Sequence, residues 1–158
     1  TISAIAEAVR FVLDETTTAC PVLEGTAGQG AHVGYRFSHL ADIIDQAGGD
    51  GRIGICLDTC HAYAAGYDLA TPEGYAAMMD EIASTTGIDR LVAIHLNDSK
   101  VELGSRKDRH DSIGDGLIDR GFDGGIYGIA VAADSPDLLR RRPTQRAWTR
   151  TVCRSAHR

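Results

Sequence analysis

The stretch IGICLDTCHAYAAGYDL, residues 53–69, decides how this chain is read. Its opening, Ile53–Leu57, is an apolar run that closes on Asp58, and the residues after Asp58 are polar and glycine-containing. A strand without polar alternation is buried on both faces, which implies a parallel sheet covered by helices. The same unit repeats on either side. Upstream, Leu40, Ile43 and Ile44 share one face of a helix expected over roughly Phe37–Gln46, stopped by Gly48 and Gly49. Further upstream, Ile2, Ile5, Val9, Val12 and Leu13 fall at helical spacing and lead into the short strand Pro21–Glu24. Downstream, Thr71-Pro72-Glu73 starts a helix with Thr as N-cap and Pro at the first helical position. That helix is expected to reach Thr86, to stop at Gly87 and to hand over to the strand Leu91–Leu96. Three helix-then-strand units with short connections define an α/β chain.

The segments after the strands carry more information than the strands. GTAGQGAHVGY (25–35), DTCHAYAAGYD (58–68) and NDSKVELGSRKDRHDSIGDG (97–116) are long, polar and glycine-rich. In α/β barrels the functional loops follow the C-terminal ends of the strands, and these three all lie on that side.

Glu24, Asp58 and His95 close three consecutive strands, 34 and 37 residues apart. In a parallel sheet such positions stand side by side on one rim. Each alone reads as an ordinary polar residue where a strand meets solvent; three metal-type side chains, one per unit, point to a shared site. Asp58 and His61 sit three apart, so a carboxylate and an imidazole leave one turn together. Asp108 and His110 sit two apart, which in an extended segment directs both side chains the same way. Oxygen and imidazole donors without thiolate suit zinc or manganese, and a bridging carboxylate such as Glu24 makes a multinuclear hydrolytic site chemically sensible. His32, His39 and His157 are assigned to surface or packing roles. The loop Thr26–Gly30 reads equally as a phosphate-cradling turn or as a tight turn only. Arg106, Lys107 and Arg109, beside the candidate ligands, are candidates for contact with a nucleic-acid backbone.

The bulk properties are those of one globular domain: 158 residues, 43% hydrophobic and 24% charged. No apolar run approaches the ~18 residues that span a bilayer. The start, TISAIAEAVRF, shows no signal-peptide pattern, and without an initiator Met it reads as the middle of a helix, hence as part of a fragment. Cys20, Cys56, Cys60 and Cys153 have no disulfide-framework or CxxC spacing, so buried thiols in a reducing cytoplasm are expected. The net charge of −6 hides an asymmetry: residues 1–118 hold 8 basic against 18 acidic side chains, while 119–158 hold 8 Arg against 4 Asp. Carboxylates consumed by cations leave a positive local field, so global charge does not exclude nucleic acid.

LEGTAGQG (23–30), DTCHAYAAGYDL (58–69) and HLNDSK with VELGSRKDRH (95–110) resemble the signature segments of the endonuclease IV family of apurinic/apyrimidinic endonucleases, over residues 1–118. The resemblance implies an α/β barrel of TIM type, xylose-isomerase-like, of which this chain holds a part. It implies a zinc-dependent enzyme that hydrolyses the phosphodiester 5′ to abasic sites in double-stranded DNA during base-excision repair. By the same resemblance Glu24 bridges two zincs, Asp58 and His95 complete one of them, and His61, Asp108 and His110 hold a third. Arg109, with Arg106 and Lys107, faces DNA.

The departures from the family pattern are specific. Its earlier histidine ligands have no strands here to carry them, and no Glu occurs after Glu102 to serve as its late ligand. Only the His61, Asp108 and His110 group is complete in identity, so fewer than three zincs are expected. The Gly after Glu24 stands where the family has Asn. Residues 119–158 form a divergent basic tail, without Lys or Glu, whose RRRPTQRAWTRTVCRSAHR (140–158) has neither helical nor alternating periodicity; a shifted reading frame or a disordered arm is expected there. Since a barrel takes about 250 residues, exposed apolar faces and bare strand edges are expected, with marginal stability. Two other readings stand beside the nuclease: a metal-dependent sugar isomerase or epimerase of the same barrel type, and a degenerate, inactive fragment.

Overall fold

The computed structural model describes residues 1–118. Its order is α1 (Ile2–Glu15), β1 (Val22–Glu24), α2 (Phe37–Gln46), β2 (Gly54–Asp58), α3 (Thr59–Ala65), α4 (Pro72–Thr85), a 3-10 turn (Ile88–Arg90), β3 (Leu91–His95), β4 (Asp98–Ser99) and β5 (His110–Asp111). The three helix-then-strand units fall where the periodicity places them. α3, inside the segment read as a loop, and the β4–β5 pair were not expected. The tail and its proposed frame shift lie outside the described residues.

Strands β1, β2 and β3 form one parallel sheet in that order, and β4 pairs antiparallel with β5. All five β2 residues are buried, and successive side chains point to opposite faces. Ile53, Ile55 and Leu57 join the apolar core with Ala6, Val9 and Leu13 of α1, Leu40, Ile43 and Ile44 of α2, and Met78 and Ile82 of α4. The other face carries Cys56 and Asp58 of β2, with Glu24 opposite Cys56 and His95 opposite Asp58. One side of the sheet is thus an oily helix-packed layer, and the other holds the chemistry.

Local signals explain the helices. Thr1 caps α1 by accepting from the Ala4 N–H at 3.3 Å, and Thr71 caps α4 through the Gly74 N–H at 3.2 Å, with Pro72 in its first turn. At the N-terminal ends of the strands, Arg52 donates to the Leu13 and Thr16 carbonyls at the end of α1, and Arg90 donates to those of Gly49, Asp50 and Ile53. The Arg52 guanidinium also pairs with Asp50 at 2.8 Å and holds that carboxyl below its ordinary range. These cations tie the bottom of the sheet together, opposite the rim that bears Glu24, Asp58 and His95.

Gly54 is required by close approach. A Cβ there would collide with Val92 Cγ2 on the neighbouring strand, and a β-branched side chain has no other comfortable rotamer to retreat to. Gly54→Ala is expected to cost about 1–3 kcal/mol, read as a lower thermal midpoint; an unchanged midpoint would contradict the packing.

The expected open surfaces are present. Within the described residues β1 and β3 are the edges of the sheet, and Phe11 (66%), Val12 (41%) and Val22 (38%) are exposed. Cys56 and Cys60 are buried free thiols, as expected. Cys20 is half-buried, and Cys153 lies outside the described residues. No helix among the described residues is long and apolar enough to cross a membrane.

Candidate metal centre

The rim is built by backbone geometry first. Asp58 ends β2 and is the N-cap of α3, its Oδ1 accepting from the His61 N–H at 2.9 Å. The cap explains why a carboxylate and an imidazole three apart converge: both belong to one helix start. Thr59, fully buried, binds its hydroxyl to the Asn97 backbone and accepts from the Asn97 N–H at 2.8 Å, which locks α3 to the end of β3. Asp58 and His95 are true register partners, whereas Glu24 stands opposite Cys56, two residues short of Asp58. The side-by-side expectation is corrected on this point: the strands are staggered, as barrel strands are, and Glu24 remains on the same face because the offset is even.

All six candidate ligands come together. His95 Nδ1 lies 2.9 Å from Glu24 Oε1 and 3.8 Å from Asp58 Oδ2. His61 Nδ1 lies 3.6 Å from Glu24 Oε1 and 4.0 Å from Asp58 Oδ1. His61 Nε2 is 3.2 Å from Asp108 Oδ2 and 3.3 Å from His110 Nε2, and His110 Nε2 is 3.3 Å from Asp108 Oδ1 and 3.7 Å from Asp58 Oδ2. Exposure rises from a dry floor to an open mouth: Asp58 2%, His61 16%, His95 26%, Glu24 39%, His110 43% and Asp108 50%. Among the described residues the most exposed members of the group are Asp108, His110 and Glu24.

The donor set fits a cation. Tetrahedral zinc with bonds of about 2.0–2.1 Å needs donors about 3.3 Å apart, which is the separation of the His61 and His110 Nε2 atoms, and each of these lies at a similar distance from a different oxygen of Asp108. The His61 ring is also oriented for ligation. Its Nδ1 is 2.9 Å from the Gly25 carbonyl, which can only accept, so the ring donates there from Nδ1 and turns Nε2 toward Asp108 and His110. Asp58 is oriented in the same way, its Oδ2 accepting from the Asn97 amide at 2.7 Å. Cys56 and Cys60 also lie near the cluster. Burial, reinforced by the neighbouring carboxylates, pushes the Cys56 thiol up to about 12 and the Cys60 thiol up to about 11. In the ion-free protein both are therefore neutral thiols.

Arg106, Lys107 and Arg109 are all exposed, on the loop that carries Asp108 and His110. The Arg106 guanidinium lies 4.5 Å from the centre of the Tyr35 ring, and Arg109 Nη1 donates to the Asp108 carbonyl at 2.6 Å. The loop after β1 closes on itself, Thr26 bonding to the carbonyls of Val33 and Gly34, and braces the other loop by accepting the Asp108 N–H on Gln29 Oε1 at 3.4 Å. His39 packs, accepting from the Gly34 N–H at 3.3 Å, and His32 is exposed; His157 lies outside the described residues. Sequence reading missed Asn97, Thr59 and Gln29. All three lie inside the motifs given above, yet nothing in their spacing says which atoms they bind.

Known proteins resemble this chain in sequence and in fold. The sequence model of the xylose isomerase-like TIM barrel family matches residues 1–122. A probable endonuclease 4 of Campylobacter curvus is 49% identical over 117 residues, 74% of this chain and 41% of that protein. A probable endonuclease 4 of Chlorobium phaeobacteroides is 43% identical over 153 residues, 96% of this chain and 53% of that protein. Endonuclease IV from Thermus thermophilus superposes with a TM-score of 0.58 at 40% identity, over 77% of this chain and 41% of that one. The chain spans about half the length of the curated relatives it matches. With parallel helix-flanked strands, functional groups gathered at their C-terminal rim, and a family match over most of its length, this chain belongs to the xylose isomerase-like TIM barrels, as a partial relative of endonuclease IV.

Proposed function

We propose that this chain carries the metal-holding part of a zinc-dependent enzyme that hydrolyses DNA on the 5′ side of abasic sites. The observation that carries the proposal is the convergence of His61, Asp108 and His110, the two imidazole Nε2 atoms 3.3 Å apart and each within 3.2–3.3 Å of one of the two Asp108 carboxylate oxygens, set beside Glu24, Asp58 and His95. Fold alone would not choose among the chemistries a barrel supports. The relatives named endonuclease 4 favour the nuclease over a sugar isomerase.

In this reading His61, Asp108 and His110 hold one zinc, and Glu24, Asp58 and His95 hold another, with Glu24 close enough to His61 to serve the region between them. Zinc supplies, when bound, stabilisation of charge on the phosphate and a water-derived nucleophile at neutral pH. The chain's own residues do the positioning. Gly25 orients the His61 ring, Asn97 aims Asp58, and the buried floor around Asp58 excludes water beneath the reacting phosphate. Arg106, Lys107 and Arg109 hold the DNA backbone at the mouth, where phosphate contacts set register without reading sequence. An abasic nucleotide, already unstacked, costs little to bring down to the floor. Such an enzyme works in the cytoplasm.

Two measurements on the purified chain test the proposal together: zinc taken up after stripping with a chelator, and nicking of a duplex with one abasic site. Uptake of two ions per chain is expected, with nicking that stops on chelation and returns with zinc. At zinc a hundredfold above its dissociation constant, binding stabilises the fold by about 2.7 kcal/mol, a rise of about 10 °C in the thermal midpoint. Zinc uptake without nicking would keep the metal centre and make the chain a binding relic of the activity. No uptake at all would sink the proposal.

A further inference from the structure

Beside the three carboxylates of the centre lies a fourth, Asp98, that belongs to none of the candidate ion-holding groups. Asp98 is fully buried. Its Oδ1 accepts from the Ser99 N–H at 2.8 Å and the Ile118 N–H at 2.9 Å; its Oδ2 accepts from the N–H groups of Gly114 at 3.2 Å and Gly116 at 3.0 Å. A buried ionised carboxylate is tolerated only when such bonds replace its water, and four backbone donors do so here. Three of the donors lie 16, 18 and 20 residues ahead in the chain, so one side chain joins the two ends of a long loop.

That loop carries Asp108 and His110. Its ends are also joined by β4 and β5, where Asp98 pairs with Asp111 and Ser99 with His110. The Lys100 N–H donates to the Arg109 carbonyl at 2.9 Å, and the Leu117 N–H to the Ser99 carbonyl at 2.8 Å. The backbone of His110 is therefore set against Ser99, the residue next to the clasp. Gly116 fits because it has no side chain: a Cβ there would collide with Asp98 Oδ1.

We propose that Asp98 is a positioning residue for the metal-holding pair Asp108 and His110, its one buried carboxylate clasping both ends of their loop. The inference rests on the metal reading given above. Asn97 and Asp98 then divide the work: the first aims Asp58 on the sheet, and the second sets the loop that closes over it. The stretch between β4 and β5 is mostly exposed; apart from the clasp it is held by the Gly104 and Arg106 N–H groups donating to the Tyr63 and Ala64 carbonyls and by the long Asp108 bond to Gln29.

The test uses the whole chain and cobalt(II), whose visible absorption reports its ligands. Asp98→Asn keeps the size of the side chain but removes an acceptor oxygen and the charge. It is expected to weaken cobalt at the loop site by about 10–100-fold, the usual cost of losing a partner that orients a ligand. Cobalt at the Glu24, Asp58 and His95 site is expected to load as in the parent, and the titration to resemble that of His110→Ala. Gly116→Ala, which pushes on the clasp from the other side, is expected to act in the same direction. If Asp98→Asn loads both sites normally, or loses both to the same extent, Asp98 does not position the loop. A parent chain that binds no cobalt would instead remove the metal reading and this inference with it.

Discussion

His61→Ala is expected to abolish ion uptake at the loop site and to reduce nicking of abasic DNA by more than about 1,000-fold, the scale on which removing one member of a catalytic constellation acts. The size follows from how much converges on one ring. Its Nδ1 is fixed against the Gly25 carbonyl at 2.9 Å, and its Nε2 stands 3.2 Å from Asp108 and 3.3 Å from His110. Without it, two partly exposed side chains remain on a loop, and two donors do not make a zinc site. The substitution leaves the fold alone, because the α3 cap uses the backbone N–H of residue 61 and not its ring, and alanine suits a helix interior. Unchanged circular dichroism, one ion fewer per chain and lost nicking would together support the assignment. Zinc uptake equal to that of the parent would remove His61 from the site.

How much of this could be read in the sequence depends on the range over which each feature is decided. The sheet was legible because Ile53–Leu57 and Leu91–Leu96 are runs long and apolar enough to be strands, and helical spacing showed α1, α2 and α4. α3 was not, since its seven residues fall below the length at which periodicity speaks. An Asp directly before TCHA, read as an N-cap rather than only as a ligand type, would have revealed it. The convergence of Glu24, Asp58, His61, His95, Asp108 and His110 was legible as one polar residue type per strand end or loop. The stagger that puts Glu24 beside Cys56 was not, because register is set by sheet geometry and by the irregularity at Ile55/Cys56. Least legible was the clasp of Asp98 on Gly114, Gly116 and Ile118, whose partners are backbone atoms that any sequence supplies.

Asp58 separates metal binding from folding more sharply than any other residue of the centre. Its Oδ1 caps α3 at the His61 N–H, while its Oδ2 takes the Asn97 amide at 2.7 Å and lies within 3.8 Å of His95 Nδ1 and 3.7 Å of His110 Nε2. One carboxylate thus reaches toward both ligand groups from the floor. Asp58→Ala is expected to lose the helix cap, about 1 kcal/mol, along with the ions. Asp58→Asn is the sharper experiment. An amide oxygen still caps a helix well, so the stripped variant is expected to melt within a few degrees of the stripped parent. The Asn97 amide can turn its own oxygen toward the new amide nitrogen, but the charge that would balance a cation is gone. Zinc should then separate the two proteins: the parent's thermal midpoint rises on adding the metal and that of Asp58→Asn barely moves, with nicking lost by more than about 1,000-fold. If zinc raises both midpoints alike, Asp58 serves only as a helix cap, and the ion at the sheet must be held by Glu24 and His95 without it.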